Sequence, residues 1–135
     1  MIVVDAGAFL EVLMRSPAGL VAERLIVADD ASAPDLLDAE VFNRLVRAEK
    51  HGQLDKADVD ERLDLLIGAP IDRVSSMGLL AVARRFAVSV SGYDALYVAL
   101  AAVLDCPVVT TDARLAKTAV QQFGLSVLQL PSSGR

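Results

Sequence analysis

The sequence has very little cysteine and histidine. Among its 135 residues, Cys106 is the one cysteine and His51 the one histidine. A single cysteine excludes an intrachain disulfide, so we expect a protein of the reducing cytoplasm with Cys106 in its core. A zinc cluster of cysteine and histidine ligands, or a cysteine–histidine nucleophile pair, cannot be assembled from so few residues.

Long apolar runs and aromatic side chains are also scarce. The longest apolar run, 95–104, is half the length that spans a membrane, and no basic leader precedes the apolar residues 2–4. We therefore expect neither a membrane segment nor a secretory signal. Aromatic residues make up 4% and hydrophobic residues 54% of the chain, so the core must be aliphatic. Parallel strands covered by helices suit this composition.

Positive charge is in short supply as well. The chain has 18 acidic and 13 basic side chains, which gives a net charge of −5. Nucleic-acid binding normally depends on lysine and arginine, so this balance has the wrong sign for it. An acidic surface often serves solubility alone. The alternative is that part of the acidity is gathered in one site that requires cations.

Runs of strand type alternate with segments of helical periodicity along the chain. Strands are expected at 2–4, 31–33, 71–74, 107–110 and 126–130, and helices at 20–28, 36–50, 58–67, 77–86, 93–104 and 114–123. Gly124 is expected to cap the last of these helices. The alternation predicts an α/β fold: one domain over 1–130, with a parallel sheet of about five strands flanked by helices, and a short tail over 131–135.

Two acidic residues follow predicted strands directly. Asp5 comes after residues 2–4, and Asp112 comes shortly after 107–110. Ligands of open parallel sheets bind beyond the carboxyl ends of the strands. If these two strands are neighbours, the carboxylates of Asp5 and Asp112 converge there.

Two further acids lie on predicted helices. Glu40 borders the apolar stripe of helix 36–50, where it either faces a site or pairs with Arg44 one turn later. Asp94 is the only charged residue in 88–104, and with Ser91 it forms a capping pattern at the start of a helix. Capping and ion binding are compatible for Asp94, and periodicity alone decides neither case.

Four converging carboxylates would require a counter-cation. Two carboxylates about 5 Å apart repel each other by roughly 3 kcal/mol at an effective dielectric constant near 20. Ligands that are all oxygen suit hard cations such as Mg²⁺ or Mn²⁺. Because the sequence contains no glycine-rich phosphate loop, carboxylate–metal chemistry is the remaining prediction.

Four segments of the sequence resemble the motifs of PIN-domain nucleases, in the right order and at suitable spacings. They are IVVDA from residue 2, PDLLDAEVFNRL from residue 34, YDALYVALA from residue 93 and VTTDARL from residue 109. The resemblance covers essentially the whole chain, and it is specifically to VapC toxins of VapBC toxin–antitoxin systems.

The resemblance implies an endoribonuclease that depends on Mg²⁺ or Mn²⁺, is usually dimeric and is held inactive by a VapB antitoxin. It implies that the catalytic, metal-binding acids are Asp5, Glu40, Asp94 and Asp112. It also implies that two polar residues, Thr110 and Asn43, support these ligands. Family members often have Ser or Thr two residues after the first acid. This chain has Gly7 there, which puts the rate or the metal affinity in doubt.

Basic residues near the motifs are candidate phosphate contacts. Arg114 follows Asp112 closely and is the preferred one, and Arg44 lies one helical turn after Glu40. The other interpretation for each is a solvated helix face.

Three other functions stay open from the sequence. A DNA nuclease of the same fold is the nearest, since no residue reports a reader of the 2′-hydroxyl. A phospho-accepting receiver domain is also a small α/β fold with acids at strand ends, but its usual late lysine and its acid at the end of the third strand are missing. A binding module without catalysis is the third.

Overall fold

The computed structural model describes residues 1–132, and it forms a five-stranded parallel sheet flanked by helices. The strands are β1 (Ile2–Val4), β2 (Ala31–Pro34), β3 (Ile71–Val74), β4 (Val108–Thr110) and β5 (Val127–Gln129). Their order in the sheet is β3-β2-β1-β4-β5, and every neighbouring pair is parallel. The predicted α/β fold is confirmed, with each strand within one or two residues of its expected bounds.

Seven α-helices lie in the described part of the chain. They are α1 (Ala6–Leu13), α2 (Pro17–Ala28), α3 (Leu36–Lys50), α4 (Lys56–Ile67), α5 (Leu80–Phe86), α6 (Gly92–Leu104) and α7 (Ala113–Phe123). The helix expected over 77–86 is instead a short 3-10 helix, Met77–Leu79, followed by α5. Gly124 ends α7 with a φ of 65°, which confirms the predicted cap.

Helix α1 was not predicted from the sequence. The helix has only eight residues, six of them buried, and so short a segment offers too few positions to establish a helical period. Asp5 starts this helix, because its carboxylate accepts a hydrogen bond from the backbone N–H of Ala8 at 2.8 Å. Helix α2 likewise begins three residues before its expected start, where Ser16 caps it through the Gly19 N–H.

The sheet reverses its order at β1. This strand pairs with β2 on one side and with β4 on the other, with Val3 opposite Val108 and Val4 opposite Val109. The backbone N–H of Asp5 continues the ladder by donating to the Val109 carbonyl at 3.1 Å. The carboxyl ends of β1 and β4 therefore lie side by side at the switch point of the sheet, where open α/β folds bind ligands.

The core is aliphatic, as the composition predicts. Val3, Val4 and Val109 have no exposed surface, and α6 contributes seven consecutive buried residues from Ala95 to Ala101. Cys106 is half-buried and packs against this core without being part of it. None of the helices over residues 1–132 has both the length and the apolarity needed to cross a membrane.

The predicted C-terminal tail falls partly beyond the described residues. Pro131 and Ser132 follow β5 without helix or strand, and 133–135 lie outside the part of the chain that the structure describes.

Gly19 is predicted to be essential for the packing of α1 against α2. A methyl group at this position would lie 1.9 Å from the carbonyl oxygen of Glu11, which is backbone and cannot rotate away. Gly19→Ala should therefore lower the free energy of unfolding by about 2 kcal/mol or more. Gly78→Ala is the control, because nothing lies within 4 Å of the added methyl group. Equal stability of the two variants in urea unfolding would contradict this packing.

Candidate active site

The carboxylate of Asp5 is buried at the end of β1, and each of its oxygens accepts a hydrogen bond. Its Oδ1 accepts the hydrogen bond from the Ala8 N–H, and its Oδ2 accepts one from the Thr110 hydroxyl. Burial, together with the smaller effect of the charges of Asp94 and Asp112, raises the pKa of Asp5 to about 6 against the lowering effect of the two hydrogen bonds. The structure thus holds a carboxylate that is costly to ionise.

Thr110 joins the ends of the two central strands. Its side chain is fully buried, donates to Asp5 and accepts a hydrogen bond from the Asp112 N–H at 3.0 Å. Asp112 in turn caps α7, since its Oδ1 accepts hydrogen bonds from the N–H groups of Arg114 and Leu115 at 2.9 and 3.1 Å. Thr110 therefore lies where the sequence predicted a supporting hydroxyl, between the two strand-end acids.

Asp94 lies at the start of α6. The cap of this helix is Ser91, whose hydroxyl oxygen accepts a hydrogen bond from the Asp94 N–H at 3.1 Å. The carboxylate of Asp94 lines a cleft in the surface. Burial and the charge of Asp112 raise its pKa. The capping pattern and membership of the acid cluster thus coexist, as the sequence allowed.

Glu40 faces inward from α3. Its Oε1 accepts a hydrogen bond from the Tyr97 hydroxyl at 2.7 Å. Burial and the charge of Asp94 raise the pKa of Glu40, while Tyr97 and the charge of Arg44 lower it. Glu40 and Arg44 form no ion pair among those found in residues 1–132. The alternative that Glu40 serves only to pair with Arg44 is therefore not supported.

Tyr97 is the site residue that the sequence reasoning missed. It is 1% exposed, and burial followed by the charges of Glu40, Asp5 and Asp94 raises its pKa, so the hydroxyl remains a proton donor. The available signal was spacing, because Tyr97 lies three residues after Asp94 and shares its face of α6.

Charges within the set of four acids raise the pKa of three of its members. Asp94 acts on Asp5 and Glu40, and Asp112 acts on Asp5 and Asp94. Within residues 1–132, however, no three Asp, Glu, His or Cys side chains are placed to hold an ion as they stand. The all-oxygen donors and their mutual repulsion fit a hard divalent cation, and the side chains must draw closer together to bind one.

A cleft of about 330 Å³ opens beside Asp94 and Asp112. Arg114 is the cation in its lining, and Ser89 and Thr118 add hydroxyl groups. Asp5, Glu40 and Thr110 do not line this cleft. Arg44 and Asn43 are exposed on α3, where Arg44 acts electrostatically on Glu40.

Gly7 faces the acids, and the hydroxyl of Thr111 fills the adjacent space. A Cβ atom at position 7 would lie 2.8 Å from Thr111 Oγ1 and 3.7 Å from Asp5 Oδ1. A serine or threonine here would meet the Thr111 side chain. Where the family often has the hydroxyl of Ser or Thr at position 7, this chain has the hydroxyl of Thr111, which follows β4, beside Gly7.

The fold agrees with the comparison to known proteins. A family model described as PIN domain matches residues 2–121, and the chain belongs to the PIN-domain family. Within that family it is of the VapC type. Ribonuclease VapC9 of Mycobacterium tuberculosis is 35% identical over 128 residues, which cover 95% of this chain and 98% of the relative.

Solved structures share the fold at lower identity. PAE2754 from Pyrobaculum aerophilum superposes with a TM-score of 0.70 at 20% identity, over 93% of this chain and 89% of that one. VapBC2 from Rickettsia felis, solved bound to a DNA fragment from their promoter, gives a TM-score of 0.68 at 13% identity, over 96% and 99%.

Asp5 should make the metal-free protein less stable as the pH rises. Its pKa is raised from 3.8 to about 6, so its contribution is most favourable below pH 4 and is lost as the pH passes through 6. The loss is about 3 kcal/mol at most. Asp5→Asn keeps an acceptor for the Ala8 N–H and should be more stable than the parent at pH 7.5 in EDTA, with the difference narrowing towards pH 4.

Asp64→Asn is the matched control, because Asp64 is exposed. Its free energy of unfolding should equal that of the parent at every pH. Urea unfolding measures both variants. A parent protein whose stability relative to Asp5→Asn does not change between pH 4 and 7.5 would contradict the burial of an ionisable Asp5.

Proposed function

We propose that this protein is a metal-dependent endoribonuclease and the toxin of a type II toxin–antitoxin pair. The observation that carries the proposal is that Asp5 and Asp112 follow the neighbouring strands β1 and β4 of a VapC-type PIN fold, with Asp94 close enough to act electrostatically on Asp5 and Glu40. Those four acids are the residues that the sequence motifs single out. We take residues 1–130 as the nuclease domain, with a short tail after it.

Asp5, Asp94 and Asp112 would hold the metal, with Glu40 completing the site. A divalent ion there supplies Lewis acidity towards the scissile phosphate and an activated water molecule. Mg²⁺ or Mn²⁺ suits the donors, since all four are carboxylates. Alternatively, Glu40 would act as a general base, since its pKa is raised and its Oε2 has no hydrogen-bond partner in residues 1–132.

Arg114 is the proposed contact to the RNA backbone. It lines the cleft with Asp94 and Asp112, and it forms no ion pair within residues 1–132. A free guanidinium beside two carboxylates can bind a phosphate group that the acids alone would repel. Arg44 is a second contact, further out on α3.

The proposed partners are an RNA substrate and a VapB-like antitoxin that inserts a basic segment into the acidic cleft. Support comes from the similarity to VapC ribonucleases and from the fold shared with VapBC2 of Rickettsia felis. We expect a homodimer that acts in the cytoplasm, where its RNA substrates are found.

The strand order argues against a receiver domain. Receiver domains of the CheY type have the order 2-1-3-4-5, whereas this sheet has 3-2-1-4-5 and places β3 at an edge. Asp72, on β3, is exposed there and away from the switch point. A DNA nuclease and a binding module remain as outcomes of the experiment below.

Asp94→Asn should abolish metal-dependent cleavage of RNA. The substitution removes the carboxylate whose charge acts on Asp5 and Glu40, while leaving the backbone N–H that donates to Ser91. We expect kcat to fall by about a hundredfold or more. The measurement is a digest of total RNA with Mg²⁺ or Mn²⁺, with EDTA as the blank and single-stranded DNA as the competing substrate.

Asp64→Asn should cleave RNA like the parent protein and serves as the control. Cleavage of DNA alone would identify a DNA nuclease. A parent protein that cleaves neither substrate and whose melting temperature does not rise with Mg²⁺ or Mn²⁺ would be a binding module, and the proposal would be wrong.

Arg114→Ala should weaken RNA binding more than it slows the reaction. We expect KM to rise about tenfold, because one phosphate contact is lost. Lys117→Ala is the matched control, since Lys117 is an exposed cation on the same helix that lines a different hollow with β5 residues. Steady-state cleavage of a labelled RNA distinguishes them, and equal KM values for the two variants would remove Arg114 from the substrate path.

A further inference from the structure

Tyr97 places a neutral proton donor among the carboxylates. Its hydroxyl bonds Glu40 Oε1 at 2.7 Å, and the ring is 1% exposed. Asp5 and Asp94 also act on it electrostatically. The contact joins α6 to α3 across 57 residues of sequence, so it depends on the assembled fold and on no local turn.

The contact restrains a side chain that would otherwise be free. Glu40 is only half-buried, and a glutamate in that position can turn its carboxylate into solvent. Arg44, the nearest cation on its own helix, forms no ion pair with it among those found in residues 1–132. The Tyr97 hydroxyl is therefore the group that holds the Glu40 carboxylate in place.

We propose that Tyr97 is a positioning residue that fixes Glu40 through Oε1, so that Oε2 is the oxygen presented to the reaction. This inference rests on the proposed function, because it assigns Glu40 a task in cleavage. Asp94 and Tyr97 are three residues apart, so one face of α6 carries both an acid of the cluster and the group that orients another. A carboxylate held in place avoids an orientational cost in the transition state.

The test uses Tyr97→Phe in the full chain, with Tyr93→Phe as the matched control. Tyr93 is the other tyrosine of the sequence, lies on the same helix and is 63% exposed. Tyr97→Phe removes one oxygen atom, and we expect kcat on RNA to fall about tenfold while KM stays within about twofold. Tyr93→Phe should leave both constants unchanged.

Combination with Glu40→Gln separates positioning from a general loss of structure. If Tyr97 acts through Glu40, adding Tyr97→Phe to Glu40→Gln should slow the reaction no further. Two losses that multiply, or a Tyr97→Phe enzyme with the kcat of the parent, would overturn the inference. Should Tyr97→Phe fail to fold, Glu40→Asp withdraws the carboxylate from Tyr97 and should give the same fall in kcat with KM retained.

A spectroscopic measurement tests the contact without any activity. The side-chain carboxyl carbon of Glu40, observed by NMR at pH 8 without metal, should shift in Tyr97→Phe and stay in place in Tyr93→Phe. An unmoved resonance in Tyr97→Phe would overturn the inference. If the parent protein cleaves no RNA, the proposed function fails while this measurement still reports on the contact.

Discussion

The pairing of β1 with β4 is the constraint on which the site depends. These strands are separated by about a hundred residues of sequence, yet Val4 lies opposite Val109 and the Asp5 N–H continues the ladder. Their registration lets Thr110 bond the Asp5 carboxylate and the Asp112 backbone at once. A shift of one residue would turn Thr110 to the other face of the sheet and separate these groups.

The same registration imposes an electrostatic cost. Asp5 is buried beside two other carboxylates, and its pKa of about 6 shows how strongly the fold resists its charge. Hydrogen bonds from Ala8 and Thr110 offset only part of that cost. The acids are thus held together by the packing of the hydrophobic strands beneath them. A bound divalent cation would reduce the repulsion between their charges. Arg114, which lines the cleft with Asp94 and Asp112, would help to reconcile a net charge of −5 with a phosphate substrate.

Much of the fold could be predicted because its strands are short, apolar and bounded by clear breaks. The sequence indicated that Asp5 and Asp112 follow strands, whereas the pairing of β1 with β4, which brings their ends together, is seen only in the structure. Helix α1 could not be recognised, because its eight residues span too few turns to establish a helical period. The role of Tyr97 in the site could not be predicted from the sequence either. In so apolar a helix a tyrosine is indistinguishable from core until the partner of its hydroxyl, 57 residues away, is known. The hydroxyl of Thr111 beside Gly7 is likewise a product of tertiary structure.

The number of protons released when Mn²⁺ binds tests most directly whether these carboxylates bind a divalent cation. Calorimetry at pH 6 in buffers of different ionisation heat gives this number. Because the pKa of Asp5 is about 6, binding should release about half a proton from that residue, with smaller contributions from Asp94 and Glu40. Asp5→Asn should release correspondingly fewer protons. Mn²⁺ binding without proton release, or no binding at all, would contradict the claim that these carboxylates share one cation.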